Sequence, residues 1–168
     1  MKLTIFIFEQ VPLTDFLIPY DVLRDIPGIE ITIASYLDTE IITAGHDVSV
    51  CGVTHVDMIE ATDALWICGS HNIQSVISQK SVYETSLRRL IDSSKSVIAI
   101  AEGVLVLAHL GVLQQVHVTC PRQMCGQVKK AGAIIKKELT VIDGKFITVE
   151  SHGHNFDLAF TVSQLLMD

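Results

Sequence analysis

Ser96-Val-Ile-Ala-Ile-Ala101-Glu102-Gly103-Val104-Leu-Val-Leu-Ala-His109-Leu-Gly111 is the stretch on which the fold of this chain turns. Val97–Ala101 is a continuous apolar run, as expected of a strand covered on both faces. Val104–Leu110 continues as a short apolar helix, and Gly111 supplies its stop. A strand that passes into a helix through a tight glycine-containing turn has the geometry of a nucleophile elbow. One residue at the strand end is held toward a cleft, and the next backbone N–H lies at a helix start where it can stabilise an oxyanion. Ala101 and Glu102 occupy those places.

Outward from this junction the same alternation recurs. Leu3–Phe8, Ile29–Ala34 and Ala64–Cys68 are further continuous apolar runs, and amphipathic segments separate them. This pattern predicts an α/β fold with a mostly parallel sheet. Asp15–Ile26 reads as a helix with Thr14 as N-cap and Pro27-Gly28 as its stop, and Pro19 is expected to end or kink it. Val82–Ser93 reads as a second helix, with Tyr83, Leu87, Leu90 and Ile91 on one face and a Glu84–Arg88 pair on the other. Leu139–Ile142 and Lys145–Val149 flank Asp143-Gly144, predicting a late β-hairpin whose two central residues both take positive φ. A last helix is expected over Asn155–Leu166, with Phe156 and Phe160 toward the sheet.

The chain has 168 residues, 49% of them hydrophobic and 18% charged, so a single domain is expected and disorder is excluded. The formal charge is −7, and Lys and Arg never cluster in runs beyond a pair, which argues against nucleic acid as a partner. No apolar run reaches the ~20 residues of a membrane helix. Met1-Lys2 leads directly into Leu3–Phe8, too short a segment for a signal peptide. Cys51, Cys68, Cys120 and Cys125 show no framework spacing and no C-x-x-C pair, so reduced thiols and a cytoplasmic location are expected.

Three segments resemble the ThiJ/PfpI family of the class I glutamine amidotransferase-like superfamily. They are Phe8-Glu-Gln-Val-Pro-Leu-Thr-Asp15-Phe-Leu-Ile-Pro19-Tyr-Asp21-Val-Leu23, then Ala64-Leu-Trp-Ile-Cys68-Gly69-Ser70, then the strand–turn–helix around Ala101 with its following Leu-Ala-x-x-Gly-Val-Leu. Val149-Glu150-Ser151-His152-Gly153 is similar to a fourth family segment, T-S-x-G. The resemblance implies a flavodoxin-like three-layer α/β/α sandwich. It also implies a small-molecule ligand and a homodimer.

The departures from the family pattern are chemical. Where active members carry a nucleophilic cysteine, the resemblance aligns Ala101, which has no thiolate to attack a carbonyl. Thr119-Cys120-Pro121 falls where relatives carry a T-x-H histidine, and Ser70 replaces the second glycine of P-G-G. Asp15 aligns with the acid that leans on the nucleophile in relatives, and Gly69 and Glu102 with the oxyanion-hole donors. Equally, Asp15 in a first turn reads as a cap for its own helix. Asp15, Gly69, Ser70, Ala101, Glu102, Ser151 and His152 form the expected ligand pocket. Cys68, at the end of the strand expected beside the elbow, and Cys120 are the replacement thiol candidates, with Cys51 and Cys125 read as structural. His152 and His154 lack the second paired spacing of a structural zinc site, so no metal and no cofactor is expected.

Two functional readings follow. The first is a non-catalytic member of the family that binds a small carbonyl or carboxylate ligand. The second is a hydrolase or hydratase/lyase acting on a small carbonyl, amide or isonitrile through Cys68 or Cys120 with Asp15.

Overall fold

Alternate side chains of each central strand enter two different cores, and this split organises the fold. A computed structural model of the chain describes residues 1–155, 157–159, 161 and 162. In chain order the elements are β1 (Lys2–Phe6), α1 (Leu13–Leu23), β2 (Glu30–Ser35), β3 (Ile41–Thr43), β4 (Ser49–Cys51), β5 (Thr54–His55), β6 (Ala64–Ile67), α2 (Ile73–Ser78) and α3 (Lys80–Ser93). Then follow β7 (Ser96–Ile100), α4 (Gly103–Leu110), β8 (His117–Val118), α5 (Cys125–Lys130), β9 (Ile134–Ile135), β10 (Thr140–Asp143) and β11 (Phe146–Val149).

The main sheet has the order β10-β11-β7-β6-β1-β2-β5, parallel throughout except for the antiparallel β10–β11 edge pair. Phe6, Leu65, Ile67, Val97 and Ala99 pack with Tyr83, Leu87, Leu90 and the apolar face of α4 on one side. Ile5, Ala64, Trp66, Ile98, Ile100, Ile147 and Val149 pack with Phe16 and Leu23 of α1 and with Leu158, Ala159 and Val162 on the other. Both faces of the sheet are therefore dry, which is why the strands read as unbroken apolar runs. This is the expected flavodoxin-like three-layer sandwich.

Four local expectations need correction or completion. Helix α1 runs through Pro19 without breaking, starts at Leu13 after Pro12, and carries no side-chain cap, so Thr14 is not its N-cap. It also stops at Leu23, short of the Pro27-Gly28 signal. The late hairpin is present, but Asp143 pairs with Phe146, so the two-residue loop is Gly144-Lys145. Only Gly144 takes positive φ, at 57°, the pattern of a type II′ turn with glycine first. An additional hairpin, β3–β4, has no counterpart in the sequence reading. The predicted last helix is represented by helical residues 155, 157–159, 161 and 162, while Phe156, Phe160 and residues 163–168 lie outside the described residues. Among the described residues no helix is long and apolar enough to cross a membrane.

Candidate functional site

The carboxyl ends of β1, β6, β7 and β11 stand side by side, and the loops leaving them meet in one cluster. This is the end of an open α/β sheet where ligands bind. The loop after β1 delivers Asp15 on the first turn of α1, the β6 end supplies Cys68-Gly69-Ser70, the β7 end supplies Ala101-Glu102, and the β11 end supplies Glu150, Ser151 and His152.

Ala101 adopts φ 45°, a left-handed conformation that L-residues avoid at a cost of roughly 1–2 kcal/mol. Its N–H remains in the sheet ladder, donating to Val149 O at 2.9 Å, while Val104 N–H already returns to Ala101 O at 3.3 Å. Strand and helix therefore meet with no intervening loop. Gly103 makes this possible: a Cβ there would lie 2.7 Å from Ile67 O and 2.8 Å from Cys68 O. The elbow expected from the sequence is present, with Ala101 at its strained position.

Asp15 is completely buried. Its Oδ2 accepts the Gly69 N–H at 2.9 Å, and its Oδ1 accepts from Asn155 Nδ2 at 2.8 Å and from His152 Nδ1 at 2.8 Å. It thus ties α1 to the segments that follow β6 and β11 and does not cap its own helix. His152 Nε2 lies 3.0 Å from Glu102 Oε2. That contact is an ion pair rather than an in-line hydrogen bond, because Glu102 Oε2 is buried without a hydrogen-bond partner.

With a carboxylate at each ring nitrogen, His152 is held as an imidazolium. The hydrogen bond to Asp15 and the contact with Glu102 push its pKa up to about 10 against a smaller opposing effect of burial. Burial pulls Glu102 upward, but the His152 cation and the residue's own backbone N–H outweigh it and hold the carboxyl below the ordinary glutamate range. Two carboxylates around one imidazolium leave the cluster with excess negative charge. His152 also has no free ring nitrogen to work as a base.

A cavity of about 330 Å³ opens on the outer side of this cluster, lined by Ala101, Glu102, Pro121, Arg122, Gln123, Glu150, Ser151 and His152. Of the predicted pocket residues, Ala101, Glu102, Ser151 and His152 reach it. Asp15 and Gly69 lie behind His152, and the Gly69 N–H is engaged by Asp15, so it is not an open oxyanion donor. Ser70 stands apart from the cavity: its hydroxyl donates to Glu9 O at 2.7 Å and accepts from Asn72 N at 3.0 Å, fastening a loop. A larger space, about 520 Å³, lies at the amino ends of β1, β2 and β6 beside Lys2, Glu30 and Asp63, remote from these groups.

Neither candidate thiol faces the cavity as a nucleophile. Cys68 is fully buried, its Sγ–H donates to the Asp15 carbonyl at 3.4 Å, and burial together with the Asp15 charge pushes its pKa well up. Cys120 is nearly as buried, and burial plus the adjacent Cys125 push it to about 12. Cys125 is not isolated, since its Sγ lies 3.7 Å from Cys120 Sγ.

The sequence reading missed Asn155 and Arg122. Asn155 was seen only as a helix start, although its side chain helps hold Asp15. Arg122 has no motif around it and reaches the cavity only because the turn after β8 folds against the β11 end. Among the described residues no group of three or more His, Cys, Asp or Glu side chains forms a metal cluster.

Comparison with known proteins agrees with this architecture. The structure superposes on Drosophila melanogaster DJ-1beta with a TM-score of 0.87 at 22% identity, covering 98% of this chain and 89% of that one. It superposes on a ThiJ/PfpI domain protein from Brachyspira murdochii with a TM-score of 0.85 at 17% identity, covering 98% and 95%. In sequence the chain is 23% identical over 167 residues to isonitrile hydratase from Pseudomonas putida, spanning 99% of this chain and 72% of that protein. A profile described as the DJ-1/PfpI family matches residues 1–165, nearly the whole chain, and the chain accordingly belongs to the DJ-1/PfpI family.

Proposed function

We propose that this protein binds a small carbonyl or carboxylate compound without forming a covalent bond to it, Ala101 standing where active members of the family carry their nucleophilic cysteine. The observation that carries this reading is the elbow: its residue is in the strained nucleophile conformation, φ 45°, yet it bears only a methyl group. Cys68 and Cys120, the replacement thiol candidates, are buried and held protonated. An unprotonated sulfur is what attacks a carbonyl, and neither supplies one near neutral pH.

The cavity supports a ligand with two kinds of group. Arg122 offers a cation to a carbonyl or carboxylate oxygen, and the Glu102 and Glu150 side chains in the same lining favour an adjacent N–H or O–H donor. Small hydroxy acids, amino acids and primary amides meet both requirements. The accompanying expectation of a homodimer rests on the resemblance to the family.

The enzyme reading retains one support, the likeness to an isonitrile hydratase, but Cys68 and Cys120 are poor agents for it. A thermal-shift screen of small hydroxy acids, amino acids, amides and isonitriles tests the proposal, with turnover followed in parallel by mass spectrometry. The expected result is ligand-dependent stabilisation, lost in Arg122→Ala and weakened in Glu102→Gln, with no product formed. Turnover that disappears in Cys120→Ser or Cys68→Ser overturns it.

A further inference from the structure

The two thiols that the cavity does not use lie against each other. Cys120 follows β8 and is fixed by its neighbour, since Thr119 N–H donates to Thr148 Oγ1 at 2.9 Å. Cys125 opens α5 and is half-buried. Their Sγ atoms are 3.7 Å apart with both thiols free, and the shorter turn between them, Arg122–Met124, is closed by Met124 N–H to Pro121 O at 2.8 Å. A disulfide bond is about 2.05 Å long, so bonding requires the two sulfurs to close the remaining gap, a movement that falls to the more open Cys125 side chain. Pro121, Arg122 and Gln123, which sit inside this would-be loop, form one wall of the 330 Å³ cavity.

We propose that Cys120 and Cys125 form a reversible intrachain disulfide, driven by hydrogen peroxide or another small hydroperoxide, that staples the cavity wall. The site is distinct from the Asp15–His152–Glu102 cluster and does not depend on the binding function proposed above. Cys125 is the thiol that solvent reaches. Its sulfur attacks one peroxide oxygen, the O–O bond breaks, and water leaves, giving a sulfenic acid. Cys120 sulfur then displaces the hydroxyl from Cys125, the S–S bond forms as the S–O bond breaks, and the Cys120 proton departs with that hydroxyl as a second water. Two thiols give up two electrons to one peroxide, and a dithiol such as dithiothreitol reverses the change. Cys120 is the more buried of the two, so peroxide reaches Cys125 first and Cys120 meets only the sulfenic acid formed beside it.

The test uses the full chain carrying Cys51→Ser, which removes the exposed thiol able to link two molecules. The folded protein is treated with dilute hydrogen peroxide, alkylated, and digested with trypsin without reduction. Cleavage after Arg122 separates the two cysteines, so a disulfide appears as two joined peptides, lighter than their sum by two hydrogens. That species is expected, absent after dithiothreitol and absent in Cys125→Ser. In Cys120→Ser a dimedone-reactive sulfenic acid should persist at Cys125. Amide exchange over residues 122–124 should slow on oxidation. A Cys125 sulfinate with Cys120 still alkylatable, a bridge involving Cys68, or no oxidation at either thiol overturns the disulfide. Unchanged exchange on oxidation overturns the stapling of the wall.

Discussion

His152 shows how strongly a single side chain's chemistry depends on what the fold puts beside it. Its folded pKa of about 10 lies above the ordinary histidine value of about 6.5. The folded state therefore binds a proton more tightly than the unfolded chain between these values. The resulting stability is fully present below about pH 6.5 and is lost as pH rises toward about 10. Melting temperatures measured across that interval should fall steadily in the native protein and flatten in His152→Gln. Glu102 gives the acidic counterpart: its lowered pKa contributes stability above the ordinary glutamate value that vanishes as pH falls through the lowered one. Ala101 offers a separate check on strain. Relief of its positive φ in Ala101→Gly, set against the ~0.4–1 kcal/mol entropic cost of a new glycine, should leave a net stabilisation between zero and about 1.6 kcal/mol in urea titrations.

Helix α1 survives its internal proline because the lost backbone bond is replaced across the interface. Pro19 has no N–H for the carbonyl one turn earlier, that of Asp15. Trp66 Nε1–H donates to that carbonyl at 3.0 Å, and Cys68 Sγ–H reaches it at 3.4 Å. The proline thus releases an acceptor that ties α1 to β6 directly behind the Asp15 carboxyl. Trp66→Phe removes the stronger donor and should cost about 1–3 kcal/mol by chemical denaturation, with the far-ultraviolet spectrum unchanged. Helix α4 is seated by a different device. Gly103→Ala sets a methyl against the Ile67 and Cys68 carbonyls, backbone atoms that cannot swing aside, and should cost about 1–3 kcal/mol or more. Glycine in this turn was visible in the sequence, but the carbonyls it must clear belong to β6, some thirty-five residues earlier.

Across the whole molecule, the candidate site exists because four parallel strands end together and their loops share one space. A ligand bound there contacts segments from Ala101 to His152, which leave different strands of one sheet, so saturating ligand should raise the melting temperature of the entire fold cooperatively. The proposed homodimer is tested by sedimentation equilibrium, where a monomer mass over the micromolar range would refute it. The cluster behind the cavity is built for holding charge in place: Asp15 binds Gly69, Asn155 and His152, and His152 in turn reaches Glu102. Such a network leaves neither ring nitrogen of His152 free, in keeping with the binding role proposed for the site.

The alternation of apolar runs and amphipathic helices specified an α/β fold with a mostly parallel sheet, because burial on two sheet faces leaves a periodic trace in local sequence, and the family resemblance narrowed that to the sandwich. The strand–turn–helix around Ala101 was legible for the same reason, its glycine and apolar flanks being adjacent residues. The hydrogen-bond partners of Asp15 were not legible. Its carboxyl meets Gly69, His152 and Asn155 only after β6 and β11 have taken their places in the sheet. The same holds for the exclusion of Cys68 from the cavity, the arrival of Arg122 at its wall, and the protonation of His152. Hydrophobic periodicity is a property of neighbours along the chain. Burial, charge pairing and pKa are properties of neighbours in space, and only the packed structure assigns those.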